Sequence, residues 1–256
     1  MAATYETLSY TKEGKLGRLE LRRPERLNAV AMTGACELLN IMETIAADSE
    51  LRMLAISGAG RAFSTGIDLK DLAEGHIDLS YFKIWDRALR IVETMDKLVL
   101  SLIHGYAVGG GLQLTLAGDI RVCTRSAKLG LPAIKEGLIP GLGTWRLARY
   151  IGMGRAKAMI IRGNMIDGVE AERIGLVDHL IEDDDPKAAF EPWIEEYSGT
   201  NSSGCRYSKH MLRDCFDLGF DAFFEHYLEL QKIAIEAPDF SEAMAAYREG
   251  RPPKWG

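Results

Sequence analysis

Apolar and polar positions alternate in two distinct rhythms along this chain. In the first half the rhythm switches repeatedly between short apolar runs and helical spacing. Residues 16–21 read as a strand with Leu19 and Leu21 on one face, ended by Arg22-Arg23-Pro24-Glu25, because Pro24 lacks a donor N–H. Residues 33–47 then place Cys36, Leu39, Met42 and Ala46, with Leu38, Ile41 and Ile45 beside them, at helical spacing. Met53 to Ser57 is an apolar run closed by Gly58-Ala59-Gly60, a buried strand followed by a turn. Residues 81–96 are again helical, and residues 98–104 and 120–124 are further strand candidates. Strand and helix in alternation predict α/β architecture. Beyond about Ala148 the strand signals fade. Residues 154–162, 168–174, 186–197, 208–217 and 220–235 all read as helices. The polar break 200–204 and the acidic run Glu182-Asp183-Asp184-Asp185 read as loops, and no internal repeat is visible.

Composition narrows the classes. With 256 residues the soft prior is one to two domains, and a core of ordinary size needs no disulfide or metal. Hydrophobic residues make up 47% and charged residues 27%, which argues against disorder, collagen and coiled coil. The longest apolar runs fall well short of a membrane helix, and residues 1–10 lack the basic patch and apolar core of a secretory signal. Cys36, Cys123, Cys205 and Cys215 show no CxxC spacing, so no metal site and a reducing cytoplasm are expected. A net charge of −6 gives no reason to expect nucleic acid, but a local basic cluster could still meet an anionic ligand.

The 26 glycines are slightly more than average usage, and two glycine-containing segments carry candidate chemistry. One is Arg61-Ala62-Phe63-Ser64-Thr65-Gly66-Ile67-Asp68-Leu69-Lys70; the other is Gly105-Tyr106-Ala107-Val108-Gly109-Gly110-Gly111-Leu112-Gln113-Leu114. Each follows a strand candidate and precedes a possible helix start, where backbone N–H groups are free and the dipole end is positive. Two such loops together could hold one oxygen that becomes negative during reaction. On pattern alone, a tight packing turn is the commoner role of a glycine triplet. Neither G-x-G-x-x-G, nor a P-loop, nor G-x-S-x-G occurs, so Ser64 is not placed as an elbow nucleophile.

The sequence resembles the crotonase (enoyl-CoA hydratase/isomerase) superfamily over nearly its whole length. The similar segments, in order, are Arg23-Pro24-Glu25-Arg26-Leu27-Asn28-Ala29, residues 62–69, 105–111, Ala117-Gly118-Asp119-Ile120-Arg121, Leu129-Gly130-Leu131-Pro132, Gly137-Leu138-Ile139-Pro140-Gly141, and a tail with Asp239-Phe240-Ser241 and Arg251-Pro252. The resemblance implies a crotonase-like (ClpP/crotonase) spiral of ββα units over residues 1–195. It implies a helical trimerisation region over 196–256, giving a homotrimer or a dimer of trimers. It also implies an acyl-CoA thioester substrate whose carbonyl oxygen is held by the backbone N–H groups of Ile67 and Gly110. Coenzyme A arrives as part of the substrate, with no tightly bound cofactor, and its contacts would fall among Arg26, Ala29, Phe63, Ser64, Gly66, Asp68, Leu69 and Lys254. Asp68 can alternatively cap or orient its loop, and Asp119 is expected to hold backbone.

The chain departs from the hydratase pattern at both carboxylates. Where hydratases place two glutamates, this sequence has Gln113 and Ala133. Crotonyl-CoA hydration is therefore expected to be weak or absent. The aspartates that dehalogenase and naphthoate-synthase relatives place near Gly141 are also missing. The combination of Gly-Gly-Gly-Leu-Gln with residues 131–141 is similar to the dihydroxyphenylacetyl-CoA dioxygenase branch. Gln113 would then be a polar group of the acyl pocket. Glu136, three residues past Ala133, is either a substitute base or an exposed or ion-paired glutamate beside Lys135. His76, Tyr81, Asp86 and Arg87 fall in the segment that covers that pocket in relatives. The readings left open are an acyl-CoA enzyme of this family, an acyl-CoA hydrolase or oxygenase for a polar or aromatic acyl group, and an acyl-CoA-binding protein that has lost catalysis.

Overall fold

The computed structural model describes residues 5–200 and 202–255. The first four residues of the segment read against a secretory signal, and Asn201 of the polar break, lie outside them. Nine strands and ten α-helices alternate among the described residues, in two sheets. The larger sheet has the order β1 (Leu8–Glu13), β2 (Leu16–Leu21), β3 (Met53–Gly58), β4 (Leu98–Ile103), β6 (Ile120–Thr124), β9 (His179–Ile181). Only the β1–β2 pair is antiparallel; the other neighbours run parallel. The smaller sheet is β5 (Tyr106–Val108), β7 (Lys128–Gly130), β8 (Met165–Asp167).

The spiral comes from splitting strand pairs between the sheets. β4 enters the large sheet and β5 the small one, and α4 (Gly110–Ala117) follows; β6 and β7 repeat the step before α5 (Gly143–Arg162). All six residues of β4 are buried, because both sheet faces are covered. On one face α1 (Met32–Ala47) and α3 (Leu79–Thr94) seal the main core. The buried stripe of α3, Tyr81, Trp85, Ala88, Leu89 and Val92, has the spacing of an amphipathic helix. On the other face Met53, Ala55, Leu98, Leu100, Leu102 and Val122 meet Phe190 and Ile194 of α7 (Pro186–Thr200).

The structure differs from the sequence pattern in three places. Strands do continue past Ala148: β8 and β9 are three residues each, too short to show a period. α5 begins at Gly143 and runs to Arg162, bending at Gly152, where φ is +77°. The polar break is not a loop throughout: Ser202 caps α8 (Ser203–Asp214) by accepting from the Cys205 N–H, so Ser203 and Gly204 are already helical. Residues 195 and 196 both lie in α7. α8, α9 (Phe220–Glu236) and α10 (Pro238–Glu249) form the C-terminal region, following α2 (Leu69–Ala73) and α6 (Gly168–Arg173) in chain order. α8 is anchored by Lys209, whose Nζ donates to the Val92 and Lys97 carbonyls and to Asp119 Oδ2 at 2.8 Å. Asp119 also accepts from the Val99 N–H at 2.7 Å, the backbone-holding role expected for it.

Candidate active site

Two loops are pressed together beside the small sheet. The first leaves β3 and is shaped by Asn28, whose amide donates to the Ala59 and Ala62 carbonyls and accepts from the Arg23 N–H. Ser64, fully buried, donates from Oγ to the Asn28 carbonyl at 2.7 Å and accepts from the Gly66 N–H at 3.1 Å. Its backbone pairs with β5 through Ser64 N–H to Tyr106 O and Val108 N–H to Ser64 O. The second loop passes through Gly109 into α4. A Cβ on Gly66 would stand 2.5 Å from the Gly110 nitrogen, and one on Gly111 would stand 2.2 Å from the Ser64 carbonyl oxygen. Only glycine permits this approach, and Gly66 also has φ +81°.

The local hydrogen bonding leaves two donors over. Around Ile67, Val30 N–H donates to Gly66 O and Asp68 N–H to Val30 O; around Gly110, Gly109 N–H donates to Gly130 O. Among the described residues the N–H groups of Ile67 and Gly110 have no acceptor. Gly110 is the first residue of α4, where helical geometry supplies no partner and the dipole end is positive.

The walls of this cleft come from α3, α4 and the turn before α5. The Trp85 indole packs on Gly110, its Cζ2 at 3.3 Å from a Cβ placed there. Trp85 Nε1 is buried with no hydrogen-bond partner among the described residues. Gln113 lies one turn beyond Gly110; its amide has no partner among the described residues. Gln113 Oε1 and Asp86 Oδ2 lie 3.7 and 3.9 Å from a Cβ position on Gly141. Arg146 Nη1 donates to Asp86 Oδ1 at 3.4 Å, and Arg146 Nε is paired with Glu93. Burial pushes the Asp86 carboxyl above its ordinary value, against the opposing pull of Arg146.

The other expected residues scatter. Asp68 caps α2, accepting from the Lys70 and Asp71 N–H groups, and pairs with Arg23 Nη1 at 3.1 Å. The Phe63 and Ser64 side chains are fully buried, so a ligand could reach them only through backbone. Ala29 gives its carbonyl to Arg23 Nη1, while Arg26 and Leu69 are exposed. Lys254 does not join Arg26. The neighbouring Trp255 lines a cavity with Lys15 and Leu16, at the opposite end of β2 from Arg22 and about 20 Å away for a six-residue strand.

Ala133 to Glu136 form a 3₁₀ turn, which stacks Glu136 over Ala133, but Glu136 is exposed and makes no ion pair with Lys135. Tyr81 donates to the Val30 carbonyl, Arg87 pairs with Glu43, and His76 is exposed beside Glu74. Asp71, Glu74 and His76 form an exposed polar cluster in which Glu74 also meets Lys70. His104 bonds the Gly60 carbonyl, and burial lowers its pKa, so it serves the loop as a neutral ring. Trp85 was missed by sequence reasoning. Its position on the buried stripe of α3 was legible, but its contact with Gly110 was not.

Fold and cleft together define a spiral α/β protein that presents two free backbone N–H groups from adjoining loops. A family model for enoyl-CoA hydratase/isomerase matches residues 11–256, and the chain belongs to that family. It is 30% identical over 257 residues to a probable enoyl-CoA hydratase of Mycobacterium bovis, covering 98% of each. It is 30% identical to the short-chain-enoyl-CoA hydratase of Clostridium acetobutylicum, covering 94% of each. The crystal structure of enoyl-CoA hydratase from Bacillus anthracis superposes with TM-score 0.90 at 28% identity, covering 98% of this chain and 99% of that one. These likenesses establish the crotonase fold and an enzyme family. Among the described residues no helix is long and apolar enough to cross a membrane.

Proposed function

We propose that this protein acts on an acyl-CoA thioester, binding its carbonyl oxygen between the N–H groups of Ile67 and Gly110. The observation that carries this reading is the pair of unpartnered donors held together by the Gly66–Gly110 contact. An enolate or tetrahedral oxyanion accepts more strongly than the ground-state carbonyl, so fixed donors lower the barrier; one such donor is worth about 3–4 kcal/mol. No side chain is needed for that step, and coenzyme A comes as part of the substrate. Arg22, Arg23 and Arg26 lie on the turn after β2, which Arg23 joins to the first loop through Asp68, and they suit the phosphates of coenzyme A. Arg23 is partly committed to Asp68 and Arg22 lies 3.8 Å from a Glu20 oxygen, leaving Arg26 the freer group.

Crotonyl-CoA hydration is weak in this reading. Gln113 cannot act as a base, and Ala133 offers no polar atom. The relatives' activity therefore carries over as thioester activation rather than as water addition. The free thiols suit a reducing cytoplasm. The aromatic face of α9, with Phe220, Phe224 and Tyr227 exposed, suits burial against further copies in a trimer.

The test is calorimetry with a panel of short, branched and aromatic acyl-CoAs, followed by mass spectrometry of the incubated thioesters. A converted thioester, or one whose α-hydrogens exchange with solvent, supports the enzyme. Tight binding of the panel with every thioester unchanged and unexchanged identifies an acyl-CoA-binding protein instead.

A further inference from the structure

We propose that Asp86 is the proton-transferring group of the acyl pocket, taking a hydrogen from the carbon beside the thioester carbonyl through Oδ2 and returning it there or further along the chain. This rests on the acyl-CoA reading above and names the base that Gln113 and Ala133 do not supply.

Four observations place it. Asp86 follows Trp85, whose indole lies on Gly110, so the carboxylate is carried on the helix that contacts the oxyanion loop. Its Oδ2 and the Gln113 Oε1 lie within 4 Å of one point at Gly141, while Gln113 is three residues along α4 from Gly110, an axial rise of about 4.5 Å. Its Oδ1 is tethered to Arg146, whereas Oδ2 has no partner among the described residues. A carboxylate held by one oxygen and free at the other is fixed in direction and able to take a proton. Finally, burial raises the Asp86 carboxyl above its ordinary value, which makes it a stronger base than an exposed aspartate.

The charges around it support that tuning. From α5 it faces Arg146, which favours the ionised form; from its own helix it faces Glu93, which opposes it. α4 offers only the neutral Gln113. On α1, Glu43 is turned to Arg87 at the surface. Tyr81, on the same helix, keeps its proton and gives it to the Val30 carbonyl. The step balances without a co-reactant. The C–H electron pair moves into the thioester to form an enolate, the oxygen charge rests on the Ile67 and Gly110 N–H groups, and the proton sits on Asp86 until it returns to carbon.

The test uses phenylacetyl-CoA, whose benzylic α-hydrogens are readily exchanged, in deuterated water with the intact protein. The wild type is expected to introduce deuterium at the α-carbon. Its rate should rise with pH through a midpoint above that of an ordinary aspartate. Asp86→Asn should slow exchange by ~10²-fold or more while the calorimetric affinity stays within threefold. Asp86→Glu should restore part of the rate with a moved midpoint. Exchange by Asp86→Asn at the wild-type rate overturns the assignment and leaves the oxyanion reading standing. Bound probe with no exchange by the wild type overturns both. Should Asp86→Asn fail to fold by circular dichroism, Arg146→Lys decides: it should raise the midpoint, and an unmoved midpoint overturns the assignment.

Discussion

Gly66 and Gly110 are separated by 43 intervening residues, yet a Cβ on the first would touch the amide nitrogen of the second at 2.5 Å. The contact sets two backbone N–H groups side by side, and it is satisfied by the absence of a side chain. Gly66→Ala should therefore damage fold and chemistry together. The strained φ and the clash should cost about 1–3 kcal/mol, a melting-temperature loss of several degrees. Displacement of a donor should slow α-hydrogen exchange of a bound acyl-CoA by ~10²–10³-fold. A Gly66→Ala protein with wild-type melting and exchange would contradict the packing described.

Gln113 and Ala133 supply the second prediction. Gln113→Glu with Ala133→Glu should raise crotonyl-CoA hydration by at least ~10²-fold, read as loss of the enoyl thioester absorbance. A carboxylate at position 113 would face Asp86 Oδ2 across Gly141, and like charges this close raise a pKa. The double variant's hydration should accordingly improve as Asp86 is changed to Asn. No gain in either background would mean that the acyl pocket has diverged beyond its carboxylates.

Lys209 makes the third. Its ammonium is the counter-charge of Asp119, and the two side chains are 10% and 19% exposed. Burial pushes the Asp119 carboxyl up despite that partner. A raised folded-state pKa means a stabilising contribution present below the unfolded value and lost as pH rises. Lys209→Met removes the opposing charge and raises the pKa further. The variant's deficit, about 3 kcal/mol near neutrality, should shrink as pH falls toward 4. Thermal unfolding at several pH values checks this; a deficit independent of pH would show that the ion pair is not its source.

The C-terminal helices give the fourth. α9 buries none of its residues within one chain, and Phe220, Phe224, Tyr227 and Leu228 stand exposed on it. Light scattering at micromolar concentration should give a trimer mass or its double. Phe224→Asp should move the equilibrium toward monomer. A wild-type monomer would leave this aromatic face unexplained.

Much of this protein could be read in its sequence, and the part that could not has a common cause. Period and punctuation set β2, β3, β4, β6, α1 and α3 almost to the residue, because each carries enough apolar positions to express its own repeat. The order of short motifs resembled one family, and that resemblance, carried over position by position, pointed to Ile67 and Gly110. β5, β7, β8 and β9 have three residues each, and their pairing partners, not their own pattern, make them strands. The side chains of the pocket were settled later still. Asp86 sat in the sequence among His76, Tyr81 and Arg87 with nothing to rank it. Only tertiary packing turned Asp86 toward Gln113 and Gly141 and sent Tyr81 to Val30 and Arg87 to Glu43. Local propensity fixes what a segment becomes. Which charged groups share a low-dielectric cleft depends on contacts between residues distant in the chain, and only the tertiary structure decides those.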